Sequence, residues 1–312
     1  MNTQASTIPR SAWLLLGLLA LIWGSSFLLI KKGLLAFSPD QLAAIRIGSA
    51  GLVLLPFIWR RFATVQRQHW WRLICVGMVG SFIPAFLFAF AQTELPSGVT
   101  GVLNTFTPLA TLILGTLIFR QGARLQQWLG VIVGLGGTLL LVTASASGEF
   151  TFNSYALLVV LATICYGLNL NLIKHHIADL RPLTITGVSL FLVAPPALVY
   201  LFVATPIRAS MAQPNAWLAL GAILTLGIVG TAAALIIFNT VVQQTNTVFT
   251  SSVTYLIPIV AVLLGIADGE PFYVQQGVGF AGILVGVWFA NRRGSNSQAA
   301  GLAAGDTTQA KS

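Results

Sequence analysis

The pentapeptide Leu28-Leu29-Ile30-Lys31-Lys32 returns 143 positions later as Asn171-Leu172-Ile173-Lys174-His175. At the same shift Gly24 falls on Gly167 and Pro39 on Pro182. At a shift of 150, Gly77, Gly80, Phe88, Pro108 and Gly115 fall on Gly227, Gly230, Phe238, Pro258 and Gly265. A shift of 149 then places Gln126, Gln127, Gly130 and Gly137 on Gln275, Gln276, Gly279 and Gly286. Self-similarity at a nearly fixed offset marks a duplicated chain, and the extra residues belong to the connection before Ala216.

The solvent of this duplicated chain is lipid. Of its 312 residues only 7% are Asp, Glu, Lys or Arg and 56% are hydrophobic, whereas a soluble domain carries about 25% charged residues. Apolar runs long enough to cross a bilayer recur throughout. That composition excludes a soluble enzyme, a nucleic-acid binder and a disulfide scaffold. The formal net charge of +9 sits in short connections, where a topological bias accounts for it, so no nucleic-acid partner is expected. Cys75 and Cys165 lie within apolar runs without neighbours at metal-ligand spacing and read as packing residues. No cofactor or metal is expected.

Breaks at charges, prolines and glycine clusters divide residues 12–291 into ten segments: Ala12–Ile30, Leu42–Trp59, Trp71–Ala91, Val99–Phe119, Trp128–Ala144, Tyr155–Ile173, Thr184–Val203, Ala216–Val242, Val248–Ala267 and Val274–Ala290. The expectation is an all-α integral membrane protein of ten transmembrane helices in two five-helix repeats, residues 12–144 and 154–291. Residues 1–11 form a cytoplasmic N-terminal segment and 292–312 a disordered cytoplasmic tail. The run from Ala12 is too long for a signal-peptide core, which spans about 7–15 residues, so it reads as a retained first helix. With the N-terminus inside, twelve of the sixteen basic residues face the cytoplasm and three face outward. This orientation follows the positive-inside bias and places both termini inside. Because five is odd, the second repeat enters the membrane upside down, with Lys31 outside and Lys174 inside. Inverted repeats are the architecture of alternating-access carriers.

Ten segments in a five-plus-five duplication, with Ile-Trp-Gly-Ser-Ser-Phe at 22–27, resemble the EamA-domain permeases of the drug/metabolite transporter superfamily. The resemblance covers roughly residues 12–291. It includes Arg46 after Pro-Asp-Gln-Leu-Ala-Ala-Ile, Pro108 and Pro258 late in the repeats, and Gly-Glu-Pro-Phe at 269–272 followed by Gln-Gln-Gly-Val-Gly at 275–279. Gln121 departs from the family pattern, which has an acid there and keeps it in the second repeat as Glu270. The resemblance implies export of small metabolites through a bacterial-type inner membrane, amino acids and aromatic ones prominent among them.

Polar side chains within lipid need either a helix–helix hydrogen bond or a water-filled path. Trp23, Ser26 and Phe27 share one side of the first segment at i, i+3 and i+4, and the repeat matches them with Tyr166, Asn169 and Leu170. Asn104, Thr107, Pro108 and Thr111 share a face of the fourth segment; Ser251, Thr254, Tyr255 and Pro258 share one of the ninth. Asn239 in the eighth and Ser81 and Phe88 in the third complete the set. Together they suit an aromatic-walled cavity for a small-molecule substrate, apolar with hydrogen-bonding ends. Helix packing is the competing explanation for each Ser and Thr. Pro84, Pro108 and Pro258 are gating hinges or packing kinks. Arg46, whose repeat counterpart is Ser189, has three open readings: snorkelling or pairing with Glu94 or Glu270, bonds to helix-end carbonyls, and contact with a substrate carboxylate.

What is missing narrows the substrate. The seven acids, Asp40, Glu94, Glu149, Asp179, Asp268, Glu270 and Asp306, sit at edges or in connections, against a cationic substrate or an intramembrane enzyme. A single buried Arg is against a phosphorylated substrate. The Gly130/Gly134 and Gly282/Gly286 pairs let helices approach closely, either within one chain or at a homodimer seam. His69, His175 and His176 at the cytoplasmic edge make a poor metal site. An exporter of another metabolite or drug class, a channel and a non-transporting membrane scaffold remain as competitors.

Overall fold

The computed structural model describes residues 10–143, 153–244 and 253–291. The expected N-terminal segment, apart from Arg10 and Ser11, and the expected tail after Asn291 lie outside those residues, as does Ser251. Every regular element among the described residues is helical. The first half contains α1 (Arg10–Gly33), α2 (Pro39–Ile58), α3 (Trp70–Gly77), α4 (Ile83–Ala91), α5 (Ser97–Leu103), α6 (Thr107–Leu117) and α7 (Leu125–Thr143). The second contains α8 (Ser154–His176), α9 (Pro182–Ala204), α10 (Ile207–Met211), α11 (Ala216–Gly227), α12 (Ala234–Gln244), α13 (Val253–Ala267) and α14 (Val274–Asn291).

Local sequence chemistry sets the helix ends. Ser38 and Gln41 form a reciprocal capping box at the start of α2, with Pro39 in the first turn, where its missing N–H costs nothing. Asn153 accepts the Tyr155 N–H at 2.9 Å to start α8. Lys31 and Lys32 close α1 and Lys174, His175 and His176 close α8, cations where the helix dipole favours them. The residues added between α9 and α11 form the short helix α10.

Among the described residues, seven helical stretches are long and apolar enough to cross a membrane: Ser11–Gly33, Pro39–Ala63, Arg67–Ala91, Ser97–Leu117, Ser154–His176, Pro182–Ala204 and Ala216–Phe238. Three shorter apolar helices accompany them, at Leu125–Leu140, Leu256–Ala267 and Val274–Phe289. Each sequence segment has a helical counterpart among the described residues, and α7, α13 and α14 each border residues outside that range.

Two of the long stretches contain a π-helical turn, Met78–Phe82 between α3 and α4 and Ile228–Ala233 between α11 and α12. Residues 78 and 228 are related by the repeat shift of 150. A 3₁₀ turn, Asn104–Phe106, interrupts the stretch formed by α5 and α6. Pro84 and Pro108 accordingly begin new helices after these turns, whereas Pro258 lies inside α13.

The helices pack α1 on α13 and α8 on α6, α1 on α11 and α12 and α8 on α3 and α4, α2 on α9, and α7 on α14. Glycines make the closest approaches. A Cβ on Gly24 would lie 2.5 Å from the Val260 Cβ, and one on Gly167 would lie 2.8 Å from the Thr111 nitrogen; these two glycines are repeat counterparts. In the α7–α14 contact, a Cβ on Gly137 would lie 2.6 Å from the Ile283 nitrogen and one on Gly286 2.5 Å from the Gly130 carbonyl oxygen. The small-residue motifs thus serve contact within the chain, the backbone proximity expected of such motifs.

Candidate functional site

The nominated residues of α1 and α8 meet α3–α4 and α11–α12 through the π turns. The Trp23 indole N–H donates to the Gly230 carbonyl oxygen at 3.0 Å, an acceptor inside the second π turn. Its ring lies 5.4 Å from Phe238. The counterpart pair, Tyr166 and Phe88, stacks at 6.0 Å, and Phe27 meets Phe88 edge-on at 5.8 Å. Each of the two counterpart pairs joins a ring of one half to a ring of the other, with tilted or offset geometry suited to ring quadrupoles.

The polar positions obey the same exchange. A Cβ on Gly230 would lie 3.2 Å from the Ser26 hydroxyl, and one on Gly80 would lie 2.7 Å from the Asn169 amide; Ser26 and Asn169 are repeat counterparts. Ser26 donates to the Ile22 carbonyl at 2.9 Å, the local bond of a packing serine. The amide oxygens of Asn169 and Asn104 are buried without a hydrogen-bond partner, an uncommon state for a native polar atom. Thr107 donates to the Asn104 carbonyl at 2.8 Å, bridging the 3₁₀ turn to α6. Three nominated side chains, Asn239, Thr254 and Tyr255, lie outside the described residues although their backbones are helical.

Arg46 projects from α2, and its Nε–H donates to the Thr231 hydroxyl at 3.2 Å. Thr231, in the second π turn, donates in turn to the Leu226 carbonyl at 3.1 Å. Neither Glu94 nor Glu270 forms an ion pair with Arg46. Thr231 was not among the sequence candidates, although its repeat counterpart Ser81 was; the duplication was the signal that could have found it.

Two clusters close the ends of this centre. At one, Lys31 bridges Asp268 at 2.7 Å and Glu270 at 2.9 Å, and Lys32 also pairs with Asp268. Glu270 accepts from the Ser97 hydroxyl at 2.8 Å and the Gly98 N–H at 3.2 Å, the electropositive end of α5. Gln92 donates to the Phe27 carbonyl at 2.8 Å beside it. Bonds from Lys31 and then Lys32 hold the Asp268 carboxyl below its usual range. Burial pushes Glu270 upward, but Lys31, Ser97 and Gly98 together bring it below its usual value.

The repeat counterpart of Glu270 is Gln121, and there the cluster is neutral. Gln121 donates to Asn171 at 2.8 Å and lies 2.8 Å from the His175 ring nitrogen, while Phe119 stacks on His175 at 5.0 Å. Asn171 donates to the Thr111 carbonyl at 3.0 Å, tying α8 to α6. The departure from the acidic pattern thus exchanges an ionic cluster for an amide and imidazole one. Among the described residues there is no group of three or more His, Cys, Asp or Glu that could hold a metal, and both cysteines are free.

Helical throughout its described residues, with seven span-length apolar helices among them, an aromatic and amide centre and polar clusters beside it, the fold is that of a multi-pass membrane transporter for a small molecule. The EamA-like transporter family matches residues 10–143 and again 153–292, and the chain belongs to that family. It is 25% identical over 262 residues to the "Uncharacterized inner membrane transporter YedA" of Escherichia coli K12, covering 80% of each chain. It is 28% identical over 150 residues to the "Probable amino-acid metabolite efflux pump" of Salmonella typhimurium, 48% of each. A crystal structure of another protein shares the fold with a TM-score of 0.59 at 21% identity, covering 91% of this chain and 97% of that one.

Proposed function

We propose that this transporter exports small amphiphilic metabolites, aromatic and large neutral amino acids foremost, by alternating access across a bacterial inner membrane with both termini cytoplasmic. In this reading the seven long stretches and α7, α13 and α14 are ten transmembrane helices in two inverted repeats. The observation that carries it is the pairing of contacts under exchange of the halves: Trp23 with Phe238 matches Tyr166 with Phe88, and Ser26 at Gly230 matches Asn169 at Gly80. Two halves that make equivalent contacts around one centre can exchange conformations, which converts a site open on one side into a site open on the other. Aromatic walls with a few hydrogen-bonding groups suit an apolar side chain with polar ends. The partial similarity to an amino-acid metabolite efflux pump supports the substrate class.

The test is export from cells. Overproduction in a bacterium sensitive to toxic aromatic amino-acid analogues should raise resistance and lower the intracellular analogue pool. Unchanged pools across aromatic, branched and small analogues, with the protein correctly inserted, would contradict the substrate class.

A further inference from the structure

Arg46 is a half-buried cation of α2 whose charge no carboxylate among the described residues pairs. Its backbone is fixed against α11, where a Cβ on Gly227 would lie 2.8 Å from the Arg46 carbonyl oxygen. Its Nε–H is directed at Thr231. The Thr231 hydroxyl proton is committed to the Leu226 carbonyl, so the oxygen presents its acceptor side to the arginine. A guanidinium has five donors, and this single bond uses one. Among the described residues no carboxylate lies within ion-pair distance of Arg46. Glu270, one of the acids the sequence offered as a partner, is bound instead by Lys31, Ser97 and Gly98.

An unpaired charge in such surroundings is destabilising, and a mobile counter-ion removes that cost while it is bound. Thr231, which holds Arg46, and Gly230, which accepts from the Trp23 indole, are neighbours in one π turn, so the guanidinium shares the centre with that aromatic wall. We propose that Arg46 is the anchor for the carboxylate of the transported molecule, with Thr231 orienting the guanidinium so that its terminal N–H groups meet both carboxylate oxygens. With the Trp23 and Phe238 rings beside the same π turn, the site fits a carboxylate-bearing molecule with an apolar side chain.

This inference rests on the centre between Trp23 and Tyr166 being the transport path, so its test has a transport arm and a binding arm. In proteoliposomes, L-phenylalanine and L-phenylalaninamide differ in the carboxylate alone. Arg46→Gln should slow phenylalanine counterflow by about ten-fold or more, the scale of a lost charged contact, and leave the amide within about two-fold of wild type. Arg46→Lys should recover part of the phenylalanine rate. Equal loss on both substrates, or an unchanged phenylalanine rate, overturns the proposal. The binding arm uses phenylacetate and phenethylamine as thermal-shift ligands. Phenylacetate should stabilise the wild type and fail to stabilise Arg46→Gln, even if no amino acid is moved; no phenylacetate shift in the wild type overturns the proposal independently of transport. Should Arg46→Gln not fold, Thr231→Val serves in its place: a selective loss of phenylalanine and phenylacetate recognition is expected, and unaltered recognition of both overturns the orienting role.

Discussion

Gly227 of α11 sits against the Arg46 backbone of α2 so closely that a Cβ would lie 2.8 Å from the Arg46 carbonyl oxygen, and a Cβ on the counterpart Gly77 of α3 would lie 2.5 Å from the Ser189 carbonyl oxygen of α9. Each glycine is the last residue before a π turn. A π turn widens the helix locally and is often retained at a functional site; here each begins where its helix is pinned by backbone contact to the neighbouring half.

Gly77→Ala and Gly227→Ala should therefore lower thermal stability in detergent by about 1–3 kcal/mol, the cost of overpacking against backbone that cannot yield. Gly17→Ala and Gly221→Ala are the controls, since a Cβ there meets nothing within 4 Å. Similar melting for all four variants would remove the pinning.

The connections before α7 and α14 supply a second comparison. Arg120 and Gly269 are counterparts at a shift of 149, with φ of 52° and 82°. The N–H of the next residue closes the turn onto the Gly115 and Gly265 carbonyls, at 2.9 Å in each case. A side chain at positive φ costs about 1–2 kcal/mol. Gly269→Ala should lose that much and Arg120→Gly should gain about 0.5–1 kcal/mol, since glycine's greater unfolded-state freedom offsets part of the relief. Chemical denaturation of both variants checks the opposite signs.

These pairings explain what was legible in the sequence. The offsets that align Gly24 with Gly167 and Phe88 with Phe238 also relate their contacts, because a duplicated sequence buries equivalent surfaces. The Trp23/Tyr166 and Ser26/Asn169 pairs were found for the same reason. The π turns were not legible: they are shifts of backbone register within apolar runs, without a residue signature. The partner of Arg46 was missed because a hydroxyl half a chain away in sequence, at Thr231, reaches it only through the packing of α2 on α11. The ten segments were legible as apolar runs, and each has a helix among the described residues, with α7, α13 and α14 bordering residues outside that range.

The indole of Trp23 contributes both a wall and a hydrogen bond to the Gly230 carbonyl. Trp23→Phe keeps the ring and loses the bond, about 1 kcal/mol, so transport should change by roughly five-fold with normal membrane insertion. Trp23→Ala should alter selectivity between aromatic and aliphatic substrates. Unchanged kinetics in both variants would remove Trp23 from the path.

The ionic cluster has a defined pH response. Asp268 and Glu270 are held below their ordinary values of 3.8 and 4.5. Groups with lowered values stabilise the fold fully above the ordinary range and lose that contribution as pH falls through it. Stability should therefore be insensitive to this cluster between neutral and weakly acidic pH and should decline below about pH 4.5. Glu270→Gln should lower stability at neutral pH by about 1–2 kcal/mol, a charged hydrogen bond discounted for the exposure of Lys31. It should also flatten the acid limb of the melting profile, and parallel profiles would contradict this role.

The central claim, a carrier for amphiphilic amino acids, is tested most directly by counterflow of labelled phenylalanine, tryptophan, leucine and alanine in proteoliposomes, each run with and without a pH gradient. The account predicts saturable uptake stimulated by the same substrate inside, strongest for the aromatic pair, with the gradient comparison reporting proton coupling. Flux that neither saturates nor responds to internal substrate, or no flux of any of the four through folded protein, would contradict it.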